Sequence, residues 1–93
     1  MGVREMNFNK LEKITKGFSN HRRIEIMSLL KDKSELSVFD IAGELKINFK
    51  TASEHLRRLT IAGLIMKRHD GSSVRHKLTE QGKAILMFLR TLE

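Results

Sequence analysis

Ser37-Val38-Phe39-Asp40-Ile41-Ala42-Gly43-Glu44-Leu45-Lys46-Ile47-Asn48-Phe49-Lys50-Thr51-Ala52-Ser53-Glu54-His55-Leu56-Arg57-Arg58-Leu59-Thr60-Ile61-Ala62-Gly63 is the stretch that decides how this chain folds. Ser37 has the chemistry of a helix N-cap, Asp40 three residues on makes a capping-box-like partner, and Leu36 can staple against Ile41 across the cap. Val38, Ile41, Ala42 and Leu45 then recur at helical spacing as a buried stripe. Asn48 caps the next helix, whose stripe is Ala52, Leu56 and Leu59 and whose end falls at Ala62 and Gly63, the glycine taking a left-handed conformation. Only Lys46 and Ile47 separate the two helices, the short connection of a helix-turn-helix over about residues 37–62.

Beyond Gly63 the hydrophobic period changes. Two short segments rich in Ile, Val, Lys, Arg and His flank Asp70-Gly71-Ser72-Ser73, a hairpin-turn signal, and predict a two-stranded wing over about residues 64–79. Upstream, Phe8, Leu11, Ile14 and Phe18 mark a helix over about residues 7–17, ended at Gly17. Ser19 and Asn20 are caps for a second, central helix bearing Ile24, Ile26, Met27, Leu29 and Leu30. Thr79 caps a last helix, residues 80–92, in which Ile85, Phe88, Leu89 and Leu92 form one stripe and Ala84, Leu86 and Met87 add apolar surface beside it. The expected fold class is mostly α with a small β-hairpin: a winged helix-turn-helix of about five helices and a two-stranded wing, forming one domain over residues 1–93.

Charge coincides with this geometry. The chain carries a net charge of +7, and between Lys46 and Lys77 eight Lys and Arg residues stand against only Glu54 and Asp70. That third of the chain implies a polyanionic partner. The second helix of a helix-turn-helix lies in the DNA major groove, and inward-facing Ala52, Leu56 and Leu59 put Phe49, Lys50, Ser53, Glu54 and Arg57 on or near the outer face. Lys and Arg suit guanine edges and phosphates, and Ser and Thr reach either bases or backbone. The candidate DNA contacts are therefore Ser37, Asn48, Phe49, Lys50, Thr51, Ser53, Glu54, Arg57 and Arg58, with Lys67, Arg68, Ser72, Ser73 and Arg75 from the wing. Glu54 is expected to restrain Arg57 or Arg58 by a helical ion pair, the other reading being acceptance from a cytosine amino group. The wing cations, His69, His76 and Lys77 included, suit phosphates or a minor groove and position the protein more than they specify sequence.

The last helix is apolar on more than one side. This suggests that the terminal helices join two copies through Phe8, Leu11, Ile14, Ile85, Leu86, Phe88, Leu89 and Leu92, the other reading being a helix sunk in its own core. Cysteine is absent, which excludes disulfides and thiolate metal ligands. His21, His55, His69 and His76 form no close pair with a carboxylate at ligand spacing, so no metal site and no cofactor are expected, and no effector site is evident; His55 reads as packed beneath the recognition surface. The longest apolar run, Ala84 to Leu89, is far short of the roughly 20 residues that cross a bilayer, so a cytoplasmic, nucleoid-associated protein is expected. No nucleophile with a histidine partner, phosphate loop or paired carboxylates marks an enzyme.

Four stretches resemble the ArsR-type winged-helix repressors: Phe18-Ser19-Asn20-His21-Arg22-Arg23-Ile24-Glu25-Ile26 at the opening of the second helix, Thr51 to Leu59 as the recognition helix, Ala62-Gly63-Leu64-Ile65 at the turn into the wing, and Leu78-Thr79-Glu80-Gln81-Gly82-Lys83, which is similar to the last helix of MarR-type regulators as well. The resemblance implies a symmetric dimer that binds double-stranded DNA and represses transcription. One departure is clear: metal-sensing relatives carry cysteines in the third helix, where this chain has Leu36-Ser37-Val38-Phe39-Asp40. Two other functions compete with sequence-specific regulation, a protein-docking module and a non-specific architectural DNA binder, because winged helices serve both. RNA binding fits less well, since only Phe49 is available to stack on a base.

Overall fold

Five polar caps set the element order in the computed structural model, which describes residues 5–93. Asn7 opens α1 (Phe8–Phe18), Asn20 opens α2 (His21–Asp32), Ser37 opens α3 (Val38–Leu45), Asn48 opens α4 (Phe49–Ile61) and Thr79 opens α5 (Glu80–Arg90). In each case the side-chain oxygen accepts from a backbone N–H of the first turn that has no partner within the helix. The Ser37 and Asp40 pair closes as a full capping box, with Asp40 N–H on the serine hydroxyl at 3.1 Å and Ser37 N–H on the carboxylate at 3.2 Å. Those bonds hold the Asp40 carboxyl below its ordinary pKa.

Between α4 and α5 the chain forms β1 (Ile65–Asp70) and β2 (Ser73–Leu78), antiparallel with Ile65 opposite Leu78 and Asp70 opposite Ser73. Gly71, at φ +64°, makes the two-residue turn possible. The base of this hairpin enters the core: Leu64, Ile65 and Leu78 join Ile26, Met27 and Leu30 of α2, Ile41 of α3, Leu56 and Leu59 of α4 and Leu86 of α5. Truncating a buried leucine such as Leu56 to alanine costs about 2–5 kcal/mol in a core of this kind. The two-stranded wing and the five helices expected from the sequence are all present.

The fold departs from the sequence reading at four places. Gly17 does not end α1, which continues to Phe18; a Cβ at Gly17 would collide with the Cβ of Ala62, so the glycine lets α1 lie against the end of α4. The wing gains a third, single-residue strand, because Leu36 bridges to His76 across a segment whose composition gives no strand signal. His76 is only 1 % exposed and faces this bridge, so it is no wing cation for phosphates. Leu86 is 3 % exposed and belongs to the monomer core, not to a free interface.

Candidate nucleic-acid interface

The turn between α3 and α4 is fixed by backbone. Lys46 takes a left-handed conformation at φ +55°, and the N–H groups of Lys46 and Ile47 both reach the Ala42 carbonyl, the latter at 3.1 Å. Asn48 then caps α4, its side-chain oxygen accepting from Lys50 N–H at 2.7 Å and Thr51 N–H at 3.3 Å. The acceptor oxygens of Ser37 and Asn48 are thus engaged in caps, and what these residues can still offer is the serine hydroxyl proton and the asparagine amide N–H groups.

Ala52, Leu56 and Leu59 bury one side of α4, and Phe49, Lys50, Thr51, Ser53, Glu54, Arg57 and Arg58 stand exposed on the rest of it. Glu54 grips both arginines: Arg57 donates Nε and Nη2 to the two carboxylate oxygens at 2.9 Å each, and Arg58 donates Nε at 3.1 Å. These bonds, the Arg57 pair foremost, push the Glu54 carboxyl down to about 2. The ion-pair reading of Glu54 is therefore what the structure has, with both arginines in place of one. His55 is half-buried at the edge of α4, and burial followed by the nearby Arg23 charge lowers its pKa.

On the wing, Lys67, Arg68 and Ser72 are exposed while Ser73 and Arg75 are half-buried. Arg68 and Arg75 lie directly opposite each other in the ladder, a repulsive arrangement for like charges. Glu35 resolves it. Its carboxylate takes Arg68 Nε at 2.7 and 3.1 Å, and its backbone carbonyl takes Arg75 Nη1 at 3.0 Å. Asp70 supplies the carboxylate for Arg75, at 3.4 Å from its Nε. Glu35 itself sits at φ +69°, a conformation costly for a residue with a side chain, held by its N–H on the His76 carbonyl at 3.0 Å. Sequence reasoning missed Glu35, which stands 33 and 40 positions from its partners and carries no local signal.

On the terminal helices α1 and α5 and just beyond, Phe8, Leu11, Phe88 and Leu92 are exposed, whereas Ile14, Ile85 and Leu89 are half-buried. Among the described residues no group of three or more His, Cys, Asp or Glu side chains could hold a metal ion, and no helix is long and apolar enough to cross a membrane.

A capped helix-turn-helix with a cationic outer face and a basic hairpin beside it defines a winged-helix DNA-binding regulator. The chain belongs to the ArsR family: residues 20–67 match the model of bacterial regulatory proteins of the arsR family. It is similar to the transcriptional activator HlyU of Vibrio cholerae, 30 % identical over 95 residues that span 99 % of this chain and 87 % of that one. A solved structure of HlyU from Vibrio cholerae superposes with a TM-score of 0.81 at 31 % identity, covering 96 % of this chain and 97 % of that chain. The homodimeric winged helix-turn-helix DNA-binding domain of Mb0332 from Mycobacterium bovis shares the fold, with a TM-score of 0.84 at 24 % identity over 99 % of this chain and 89 % of that chain. The chain is a DNA-binding transcriptional regulator by family, and not an enzyme.

Proposed function

We propose that the protein binds a two-fold-symmetric site on double-stranded DNA as a homodimer, with α4 of each copy in a major groove and each wing on the flanking backbone. The observation that carries this reading is the two-sidedness of α4, whose inner face closes the core while Lys50, Thr51, Ser53 and Arg57 stand exposed on the outer one. Lys50 and Arg57 supply base-edge or phosphate donors, Thr51 and Ser53 supply hydroxyls, and Lys67, Arg68 and Ser72 hold phosphates. Exposed Phe8, Leu11, Phe88 and Leu92 are the surfaces that two copies cover, with half-buried Ile14, Ile85 and Leu89 beneath them. The Mb0332 domain, described as homodimeric, supports that assembly.

Occupancy over a promoter excludes polymerase, so repression is the simplest consequence. HlyU is named an activator, and the same complex placed beside a promoter in place of over it gives that outcome. The protein then works on the nucleoid, in the cytoplasm. Selection of random double-stranded DNA by the purified protein, followed by affinity for the enriched site at two salt concentrations, tests the proposal. A palindromic motif with half-sites about one helical turn apart is the expected result. Salt-sensitive binding without enrichment would replace it with an architectural role, and absence of binding would leave the docking module. Sedimentation showing only monomer at micromolar concentration would remove the dimer.

A further inference from the structure

The close approach of α1 to the end of α4, allowed by Gly17, leaves a cleft of about 340 Å³ on the far side of the recognition arginines. Its rim is four cations, Lys13 and Lys16 of α1 and Arg57 and Arg58 of α4. Its apolar surface comes from Gly17, Ala62 and Ile61, the last 72 % exposed although it is a large aliphatic side chain. Two carboxylates offset this charge: Glu54 holds both arginines from the other side, and Glu12 meets Lys16 at 3.5 Å. Among the described residues Lys13 has no ion-pair partner. The cleft is of the size that small ligands occupy, with mostly apolar walls and a few convergent charged groups.

We propose that this cleft binds a small amphiphilic anion, whose carboxylate or phosphate head sits among Lys13, Lys16 and Arg58 and whose apolar body covers Ile61, Ala62 and Gly17. The charge complementarity selects an anion, and the exposed isoleucine selects one with an apolar portion. The bound head group competes with Glu54 for Arg57 and Arg58, turning both guanidinium groups away from the outer face of α4. The anion is thereby an effector that lowers DNA affinity, a consequence that rests on α4 being the recognition helix. Charge-assisted pairing to a carboxylate is strong enough for such an exchange, since an anion in the cleft meets two lysines that Glu54 does not.

Decanoate serves as the probe, with decyltrimethylammonium as the cationic control, and the readouts are backbone amide shifts of the whole chain and, separately, affinity for DNA. Saturable shifts at Gly17, Ile61 and Ala62 with decanoate but not with the cation are expected, together with a loss of DNA affinity of about tenfold at saturation. The double variant Lys13→Gln, Lys16→Gln, at two exposed positions outside the DNA-contacting set, is expected to weaken decanoate about tenfold and to keep wild-type DNA affinity without it. No saturable shift, shifts confined to α5, or equal binding by the double variant would overturn the site. Shifts at Gly17 and Ala62 with DNA affinity unchanged would overturn the effector role. Weaker DNA binding by the double variant alone would make the cleft a DNA-backbone contact in place of an effector site. If the unliganded protein bound no DNA while decanoate still shifted Gly17 and Ala62, the DNA reading would fail and the cleft would stand.

Discussion

The recognition helix and the wing both carry paired arginines held by one glutamate, but they hold them at very different range. In α4 the partners of Glu54 are three and four positions away, so the helix alone brings them together. On the wing, Arg68 and Arg75 depend on Glu35, 33 and 40 positions upstream, which meets them only when the segment between α2 and α3 lies against the paired strands β1 and β2. DNA can displace Glu54 without disturbing anything but two side chains. Releasing Arg68 and Arg75 removes the three bonds to Glu35 that settle a like-charged ladder pair. The α4 surface is thus free to answer to base sequence, while the wing surface reports the integrity of the fold.

The largest effect should come from removing the α4 arginines. Arg57→Ala with Arg58→Ala is expected to reduce affinity for an enriched DNA site on the order of a hundredfold, and to narrow its advantage over random DNA. Titration of both DNAs at one salt concentration checks this, and unchanged affinity for the enriched site would end the assignment of α4. A smaller loss, about fivefold, is expected for Arg68→Ala, falling equally on all sequences and reducing the slope of log affinity against log salt by about one. If that variant changed sequence preference, the division of labour between helix and wing would break. Glu54→Gln removes the charge that restrains Arg57 and Arg58 and repels phosphate, so random DNA should bind about threefold more tightly, with a steeper salt slope. Weaker random binding would mean that Glu54 positions the arginines productively.

The same contrast explains what the amino-acid sequence disclosed. Four of the five helix caps were legible, because a cap is a contact between residues two or three apart: Ser37, Asn48 and Thr79 cap as their spacing predicts, and of the two candidates before α2 it is Asn20 that does so, whereas Asn7 was not read as a cap. The outer face of α4 was legible from Ala52, Leu56 and Leu59 by period alone, and so was the Glu54 pairing. Gly17 was misread as a helix end because a glycine at a terminus and a glycine at a helix crossing look alike until Ala62 is known to lie against it. His76 sits among Arg75 and Lys77 in sequence, and only the Leu36 bridge reveals that alternate wing positions turn inward. Leu86 could not be told from Leu89 or Phe88 on a helix apolar on more than one side. Glu35 and the cleft beneath Arg58 are products of long-range packing, which no local pattern encodes.

The smallest effect sharpens the comparison from the side of the wing. The His76 ring is buried at the Leu36 bridge, with Nδ1 and the backbone N–H both 2.8–2.9 Å from the Leu36 carbonyl, so the proton of the neutral ring is on Nδ1. Burial pushes its pKa below the ordinary 6.5, the carbonyl contact opposes this in part, and the Lys67 charge lowers it further. In the unfolded chain the ring titrates near its ordinary value, so below about pH 6.5 the unfolded state takes up a proton that the folded state refuses. Stability is fully present above that pH and falls as the solution is acidified toward the folded pKa. His55 on α4 is lowered as well and contributes in the same direction. Thermal unfolding from about pH 8 to about pH 5 is expected to show this decline, with His76→Gln and His55→Gln each flattening part of it. Hydrogen exchange separates them: after correction for the slower intrinsic exchange in acid, protection should fall at the amides of Glu35 and His76 before those of α4, because protonating His76 puts a charge at the bridge that holds the wing to the body. Simultaneous release of both regions would mean that the wing has no stability of its own to lose, and that Glu35 is as much a part of the recognition scaffold as Glu54.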